Sequence, residues 1–319
     1  MPVVVAEGPL LDRILDQTYA VWDEGLSRRA YAQWNAAQAR LPWARGRLDR
    51  LALVGDGGEL LATLKRYRHE VVLDGGPVVM CGLGAIFTPE PLRGRGHATR
   101  LIEHVLDEER GRGAALAGLF SEIGPAMYAR LGFSPVPFDE VTVGVTRQGG
   151  SPAMLVRAGD DRDLPAIAQI HATRAEGVRF SLRKTPPSLQ FALARRRLFA
   201  GLSDPGRRQF EFVVAEEGHT AVAYALISRN AHGWTLEEAG DRDPAAARLG
   251  AMLQVLLARE PSERTPLIRA WWPRALPVPP QLALRDRTAP KDLFMVKALS
   301  GVLAPAGAAD VFFWRSDSF

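Results

Sequence analysis

Cysteine is nearly absent from this sequence, because Cys81 is the only one among 319 residues. An intrachain disulfide is therefore excluded, and a reducing cytoplasm is the expected compartment. Cys81 itself lies in an apolar run, where a buried structural thiol is favoured over a nucleophile.

Long apolar stretches are absent too. No run approaches the roughly 18 consecutive apolar residues that a membrane-spanning helix needs. The first residues lack the basic segment and the long apolar core that a signal peptide carries. We therefore expect no membrane association.

Arginine is abundant but is not gathered into one patch. The formal net charge is only +4 although the sequence pI is about 9.5, and the arginines are spread along the whole chain. A scattered basic excess is a poor footprint for nucleic acid, so we expect no nucleic-acid partner. We also expect no metal site, and the sequence leaves a homo-oligomer open.

The length and composition indicate two globular domains. Hydrophobic residues make up 47% of the chain and charged residues 24%, which is ordinary for a globular protein. The length corresponds to two domains of about 150 residues each. Residues 148–152 predict a linker, so the expected domains are residues 1–148 and 152–319.

An apolar strand, a glycine-containing turn and an amphipathic helix follow one another between residues 78 and 110. The turn removes side chains where the backbone meets a helix start, whose free N–H groups and positive dipole end attract an anion. Two arginines add formal charge. The turn therefore predicts a pyrophosphate site made by Arg93, Gly94, Arg95, Gly96, His97 and Ala98.

The turn by itself is weak evidence, because glycine before a helix is often only turn chemistry. It has neither the Lys-Ser/Thr pair of a P-loop nor the third glycine of a dinucleotide-binding fingerprint. The order of the elements that follow is more specific. A strand over residues 115–120 comes after the helix, and Tyr128 then stands in a short helix before Leu131-Gly132-Phe133.

This order resembles the GCN5-related N-acetyltransferase (GNAT) family. The acetyl-CoA motif of that family is Arg/Gln-x-x-Gly-x-Gly/Ala, and Arg93, Gly96 and Ala98 match it. The resemblance covers roughly residues 1–147. It implies an α/β fold with a mixed α+β sheet and acetyl-CoA as the co-substrate.

Glycines inside the strand over residues 78–87 predict a bulge or a close approach of another chain segment. They are Gly82 and Gly84. In the family, this strand splays from its neighbour and the pantetheine arm lies in the gap. The resemblance therefore implies that backbone groups of Ile86, Phe87 and Thr88 pair with the cofactor.

The second half of the chain repeats the order of elements and resembles a second copy of the same fold. In place of the cradle it has residues 240–244, Gly-Asp-Arg-Asp-Pro. Two carboxylates would repel a pyrophosphate, so this copy is predicted to be degenerate and not to bind coenzyme A. Residues 141–145 are predicted to be the last strand of the first domain, and residues 293–299 the final strand of the second.

Acetyl transfer to an amine needs an acid for the leaving thiolate and a base for the ammonium proton. Tyr128 suits the acid, since an ordinary pKa near 10 keeps its O–H intact at neutral pH. A tyrosine that merely packs on the core is the alternative. The base is less clear: Glu122 is one candidate, and His97 is another by its pKa, although its place in the cradle favours a structural role.

The tandem arrangement, with Ser121-Glu122 ahead of Tyr128, is similar to the Eis acetyltransferases. Those enzymes use the carboxyl terminus as the base, and this chain also ends in an aromatic residue, Phe319. Two features depart from that group: the spacing from Ser-Glu to Tyr is longer, and the sterol-carrier-like third domain is missing. The resemblance makes the carboxylate of Phe319 a further candidate base.

The sequence therefore predicts an acetyl-CoA-dependent N-acetyltransferase with one working site in its N-terminal half. The acceptor would be a primary amine of a small molecule or peptide, acetylated by direct transfer in a ternary complex. The alternative is a non-catalytic coenzyme A-binding sensor or interaction protein that keeps the fold. Turnover with a panel of amines separates the two.

Overall fold

The structure is a computed structural model that describes residues 1–146, 154–261 and 265–319. The predicted linker at residues 148–152 lies outside the described residues. The chain divides into two compact units. The first comprises Met1–Pro137, Lys291–Ala306 and Phe319, and the second Phe138–Pro290 and Gly307–Ser318.

Both units contain helices and strands. The helices are α1 (Gly8–Trp22), α2 (Arg28–Arg40), α3 (His97–Gly111), α4 (Ala126–Ala129), α5 (Leu164–Arg174), α6 (Pro186–Leu202) and α7 (Ala247–Ala258). The strands are β1 (Val3–Val5), β2 (Leu48–Val54), β3 (Leu60–Leu73), β4 (Gly76–Phe87), β5 (Leu116–Ser121), β6 (Ser134–Pro135), β7 (Glu140–Val145), β8 (Leu155–Ala158), β9 (Phe180–Leu182), β10 (Arg208–Glu217), β11 (Thr220–Asn230), β12 (Gly233–Asp241), β13 (Ile268–Trp271), β14 (Leu282–Thr288), β15 (Leu293–Ala298) and β16 (Val311–Phe312).

The first unit is built on a mixed sheet with the strand order β1-β2-β3-β4-β5-β15-β6. Its neighbours are antiparallel, apart from β4 and β5, which are parallel and are joined by α3. Leu101, Ile102, Val105 and Leu106 recur at helical spacing and form the buried face of α3. That face packs into the core of the sheet, so the start of α3 is fixed at the end of β4.

A bulge interrupts β4 near its C-terminal end. The register with β3 changes from Lys65↔Gly84 to Thr63↔Phe87, which leaves one extra residue on β4. Ala85 absorbs it with a φ of 46°, a left-handed conformation that is costly for a residue with a side chain. The pairing of β4 with β5 ends at Leu83↔Leu119. The strand therefore contains a bulge, which the glycines predicted, and its pairing with β5 ends at Leu83.

The second unit is built on a sheet with the order β14-β7-β13-β12-β11-β10-β8. Here β12 and β13 are the parallel pair, and α7 joins them. The two sheets follow the same sequence of antiparallel and parallel neighbours. The predicted fold class, a mixed α/β fold with two tandem copies, is confirmed.

Two strands do not lie in the domains predicted for them. Residues 141–145 belong to β7, which pairs with β13 and β14 in the second unit, and Leu293–Ala298 pairs with β5 in the first. The units therefore do not follow the predicted division into residues 1–148 and 152–319. The physical reason is that pairing and burial, not chain order, assign a strand to a sheet: Val141 packs in the second core and Met295 in the first.

Among the described residues, no helix is both long enough and apolar enough to cross a membrane.

Candidate active site

The predicted cradle lies at the start of α3 and is open. Gly94 and Gly96 have φ values of 77° and 80°, which glycine adopts without steric cost. A Cβ built on either residue would meet no atom within 4 Å. The residues from Arg93 to Gly96 are exposed. The space and the backbone conformation therefore fit a pyrophosphate.

The first turn of α3 has no side chain over its end. The N-cap residue is Gly96, and no side-chain hydrogen bond caps the helix. The first N–H groups of a helix have no partner within the helix, so His97 and Ala98 present theirs at the cradle. The side chain of Arg93 turns back, because its Nε donates to the carbonyl oxygen of Thr88 at 3.3 Å. Arg93 thus connects the cradle to the end of β4.

The residues predicted to pair with the cofactor lie beyond the bulge. Ile86 and Phe87 end β4, and Thr88 follows the strand. The pairing with β5 stops before them, at Leu83↔Leu119, so the edge of β4 that faces away from β3 is not paired with β5 at these residues. The structure thus brings Ile86, Phe87 and Thr88 and the cradle to the same end of β4.

Tyr128 lies in α4 and is 6% exposed. It packs in the core of the first unit, and its ring contacts that of Phe133 edge to face, with the centroids 6.3 Å apart. Burial raises the pKa of Tyr128 above its usual value. The hydroxyl therefore stays protonated at neutral pH, as a proton donor must.

Phe319 docks on the sheet of the first unit. Its ring centroid lies 4.9 Å from that of His69, 5.5 Å from that of Tyr67 and 5.4 Å from that of Phe120. The floor under it is Gly82 and Gly84. A Cβ on Gly82 would lie 2.7 Å from the ring of Phe319, which is closer than real Cβ contacts. Gly82 and Gly84 therefore form the surface of β4 against which Phe319 packs.

Glu122 and His97 are placed differently from Phe319. Glu122 follows β5 at an exposed position, where its carboxylate pairs with Lys291 at 3.1 Å. His97 is the first residue of α3 and part of the cradle. The role of Glu122 as a base stays a prediction. Cys81 is fully buried in the core, and burial raises its thiol pKa far above the usual value, which keeps the thiol protonated.

The second unit fills the position that corresponds to the cradle with its own carboxylate. Asp241 ends β12, and its side chain is buried. One oxygen accepts from the N–H of Asp243 and the other from the N–H of Leu249 in the first turn of α7, both at 2.8 Å. An anion therefore already occupies this helix N-terminus.

The second unit also buries an ionic cluster near the end of the chain. The ammonium group of Lys184 lies 3.1 Å from Glu238 and also pairs with Asp317. The hydroxyl of Tyr224 donates to Glu238 at 2.8 Å, and Ser316 donates to it as well. Burial opposes the charge on Glu238, but Lys184 and the hydrogen bonds outweigh it, and the pKa of Glu238 is lowered to about 2.

Among the comparisons with known proteins, the family match concerns the first unit. Residues 12–136 match the family model described as an acetyltransferase (GNAT) domain. This part of the chain is similar to GNAT acetyltransferase domains, and the resemblance predicted from Arg93, Gly96, Ala98 and Tyr128 is confirmed. No curated protein matches the sequence.

Solved structures share the fold over most of the chain. A GCN5-related N-acetyltransferase from Kribbella flavida is 17% identical with a TM-score of 0.67, and the alignment covers 93% of this chain and 70% of that one. A probable N-acyltransferase from Enterococcus faecalis is 12% identical with a TM-score of 0.68, and the alignment covers 93% of this chain and 72% of that one. Eis1 from Mycobacterium abscessus is 16% identical with a TM-score of 0.59, and the alignment covers 94% of this chain and 74% of that one. The likeness to a tandem, Eis-like arrangement predicted from the sequence is consistent with these folds.

Arg50 was not predicted from the sequence. It lies on β2, is 8% exposed, and its Nη1 reaches the carbonyl oxygen of Ala85 at the bulge, 3.4 Å away. A lone arginine in a strand predicts a solvent-facing side chain, so only the register of the folded sheet could have identified it. In the described part of the chain, no group of three or more His, Cys, Asp or Glu residues is placed to hold a metal ion.

Proposed function

We propose that this chain is an N-acetyltransferase that transfers the acetyl group of acetyl-CoA to a primary amine by direct transfer in a ternary complex. The observation that carries the proposal is the bulge of β4 at Ala85, beyond which the strand still pairs with β3 but is no longer paired with β5, beside the open cradle of α3. A bulge next to a site is a common means of ending strand pairing. We place the working site in the first unit.

Acetyl-CoA supplies the acetyl group as an activated thioester. Gly94, Gly96 and the first N–H groups of α3 would hold the pyrophosphate, with charge from Arg93 and Arg95. Backbone groups of Ile86, Phe87 and Thr88 would pair with the pantetheine arm as an added strand would. These contacts fix the thioester carbonyl at the bulge, and holding the reactants in place supplies much of the rate.

The transfer forms a C–N bond as the C–S bond breaks. A base takes the first proton that the ammonium group must lose, and Tyr128 gives its proton to the sulfur that leaves. The second proton, which the nitrogen loses as the amide forms, restores the hydroxyl of Tyr128. For the base we propose the terminal carboxylate of Phe319 ahead of Glu122, because Phe319 is docked on Gly84 next to the bulge. Glu122 is exposed and paired with Lys291.

We propose that the second unit is degenerate and does not bind coenzyme A. The buried carboxylate of Asp241 supports this, because a pyrophosphate at the start of α7 would have to displace it against charge repulsion. The acceptor would be a small molecule or a peptide, and the cytoplasm remains the expected compartment.

The test is isothermal titration of acetyl-CoA into the wild type and into a variant with Gly96→Glu and Ala98→Glu. We expect one equivalent to bind to the wild type and none to the variant. Gly111→Glu at the other end of α3 is the matched control, since a Cβ there meets no atom within 4 Å. Two equivalents would contradict the degenerate second unit.

A wild type that binds no acetyl-CoA would overturn the proposal altogether. A wild type that binds it but acetylates none of a panel of amines would favour the non-catalytic coenzyme A-binding protein. Release of free thiol in step with amide formation is the expected result.

A further inference from the structure

The guanidinium of Arg50 is buried without an anionic partner among the described residues. Its single hydrogen bond in that part of the chain is the one from Nη1 to the carbonyl oxygen of Ala85, at 3.4 Å. Its Nε and Nη2 are buried and have no hydrogen-bond partner. A buried charge that lacks a partner is strongly unfavourable, so the position needs an explanation.

The charge itself persists at neutral pH. Burial lowers the pKa of Arg50 to about 10, while the nearby Tyr31 and Tyr67 raise it in part. The side chain is therefore cationic at pH 7 and exerts its field in a poorly solvated place, where an anion is bound more strongly than at the surface.

Arg66 is a second buried arginine, and its ion-pair partners can be compared with those of Arg50. It is buried to a similar degree, at 6% exposure, and its guanidinium pairs with Asp49, Glu108 and Glu109 at distances of 2.5–3.2 Å. Those carboxylates compensate its burial. Nothing comparable faces Arg50 in the described residues, so the fold alone does not account for it.

The two nitrogens without a partner fit an anion with two oxygens. Nε–H and Nη2–H lie in the guanidinium plane, point the same way along one edge and form a fork that matches two oxygens of a carboxylate or of a phosphate. With Nη1 held by Ala85, this fork has a fixed orientation. Because the proposed function assigns the phosphates of acetyl-CoA to the cradle, the class of ligand at Arg50 is a carboxylate.

The location connects this carboxylate to the reaction. Arg50 pairs in register with Lys65, and Lys65 with Gly84, so the three residues form one row across β2, β3 and β4. Directly paired residues of antiparallel strands point to the same face of a sheet. Arg50 thus shares a face with Gly84, beside the bulge where the proposed function places the thioester.

We propose that Arg50 binds the carboxylate of the acceptor, and that the acceptor is a primary amine that also carries a carboxylate, an α-amino acid being the simplest member. The proposal rests on the proposed acetyltransferase function and names its substrate class. The terminal carboxylate of Phe319, which lies against Gly84, is a second source of the same chemistry, and the experiment separates the two.

The experiment measures initial rates of acetylation by wild type, Arg50→Gln and Arg50→Lys. The substrates are α-amino acids, their α-carboxamides and the corresponding amines without a carboxyl group. For wild type we expect kcat/KM to be at least about 100-fold higher for the acids, as for other sites built to pair with a polar group. Arg50→Gln should lose this preference mainly through KM, and Arg50→Lys should retain part of it.

Thermal unfolding without acetyl-CoA gives a second readout. The amino acid should raise the Tm of wild type but not of Arg50→Gln. Arg50→Met should leave the Tm of the unliganded protein unchanged or raise it, since it removes an uncompensated buried charge. A clear loss of Tm in Arg50→Met would indicate a structural arginine and overturn the proposal.

Titration of acetyl-CoA into Arg50→Gln serves as the control and should give the wild-type affinity. If Arg50→Gln lowers kcat equally for acids, amides and plain amines, the partner is the carboxylate of Phe319 and the proposal is wrong. If wild type acetylates amines without preferring acids, the proposal fails while the acetyltransferase function stands. If wild type binds no acetyl-CoA, both fail together.

Discussion

The carbonyl oxygen of Phe319 lies 3.1 Å from the place that a Cβ on Gly84 would occupy. Gly84 adopts a backbone conformation open to any residue, so its lack of a side chain is explained by this contact and not by the chain path. The ring of Phe319 covers Gly82, two residues earlier on the same face of β4. The end of the chain and the middle of β4 therefore fit one another.

Replacing Gly84 with alanine should push the end of the chain away from the bulge. We expect Gly84→Ala to lower kcat for acetyl transfer by about 10- to 100-fold, since small misplacements of a reacting group have effects of that size. The affinity for acetyl-CoA, measured by titration, should change little, because the cradle lies at the start of α3 and Gly84 lies on β4.

The control for this variant is Gly111→Ala at the end of α3, where a Cβ meets no atom within 4 Å. It should keep the wild-type kcat and Tm. If Gly84→Ala has full activity, Phe319 takes no part in the reaction and Glu122 becomes the better candidate for the base.

Tyr128→Phe removes the proposed acid without changing the shape of the side chain. We expect kcat to fall by about 100-fold or more, with an unchanged dissociation constant for acetyl-CoA. Because burial raises the pKa of Tyr128 above its usual value, the wild-type rate should lose the acid form only at a higher pH than an exposed tyrosine would. Steady-state rates over pH and titration of acetyl-CoA check both points.

Tyr19→Phe is the matched control for Tyr128. The hydroxyl of Tyr19 donates to the carbonyl oxygen of Leu26 at 2.9 Å, so its loss should cost about 1 kcal/mol of stability and no activity. Equal kcat values for Tyr128→Phe and wild type would show that Tyr128 is only a core residue.

Asp241→Ala should destabilise the second unit. Two backbone N–H groups, those of Asp243 and Leu249, would lose their acceptor in a buried place, at a cost of about 1–3 kcal/mol. Asp243→Ala should cost less, because the side chain of Asp243 is partly exposed, accepts from the N–H of Ala245 and lies 3.9 Å from Arg248. Denaturant unfolding measures the stability of both variants. Titration should still show one bound equivalent of acetyl-CoA. A second equivalent in Asp241→Ala would show that the carboxylate of Asp241 alone blocks a site in the second unit.

Much of the fold could be predicted from local sequence patterns. The Asp74-Gly75 turn joins β3 to β4 and adopts positive φ at both residues, as a tight hairpin requires and as an Asp-Gly pair between two apolar segments indicates. The helix of the cradle begins at His97, directly after the glycine-containing turn, as the order of strand, turn and amphipathic helix predicts. Such features depend on neighbours in the chain and are visible in it.

The remaining features depend on pairing between distant segments. β7 alternates buried and half-buried residues, whereas β15 has three consecutive buried residues. Nothing in either segment specifies which of two similar sheets it joins. The burial of Arg50 likewise follows from the register of three strands. Phe319 entered the prediction only through the resemblance to Eis enzymes, because a single terminal residue carries no pattern of its own.

The last prediction concerns Glu238, whose pKa is lowered from 4.5 to about 2. A lowered carboxyl pKa means that the unfolded chain binds more protons as the pH falls, so the contribution of Glu238 to stability is fully present above pH 4.5 and is lost toward pH 2. Glu238→Gln should remove this part of the acid dependence. It should also destabilise the protein by about 3–5 kcal/mol at neutral pH, because Lys184 stays buried with one carboxylate fewer.

Denaturant unfolding between pH 3 and pH 7 measures both effects on Glu238→Gln and wild type. The control is Asp16→Asn in an exposed ion pair with Arg28, which should change stability little at any pH. Parallel stability curves for wild type and Glu238→Gln over the acid range would contradict the prediction. They would mean that Glu238 carries no more charge in the folded chain than in the unfolded one, and that the hydrogen bonds from Tyr224 and Ser316, not the charge of Lys184, hold it in place.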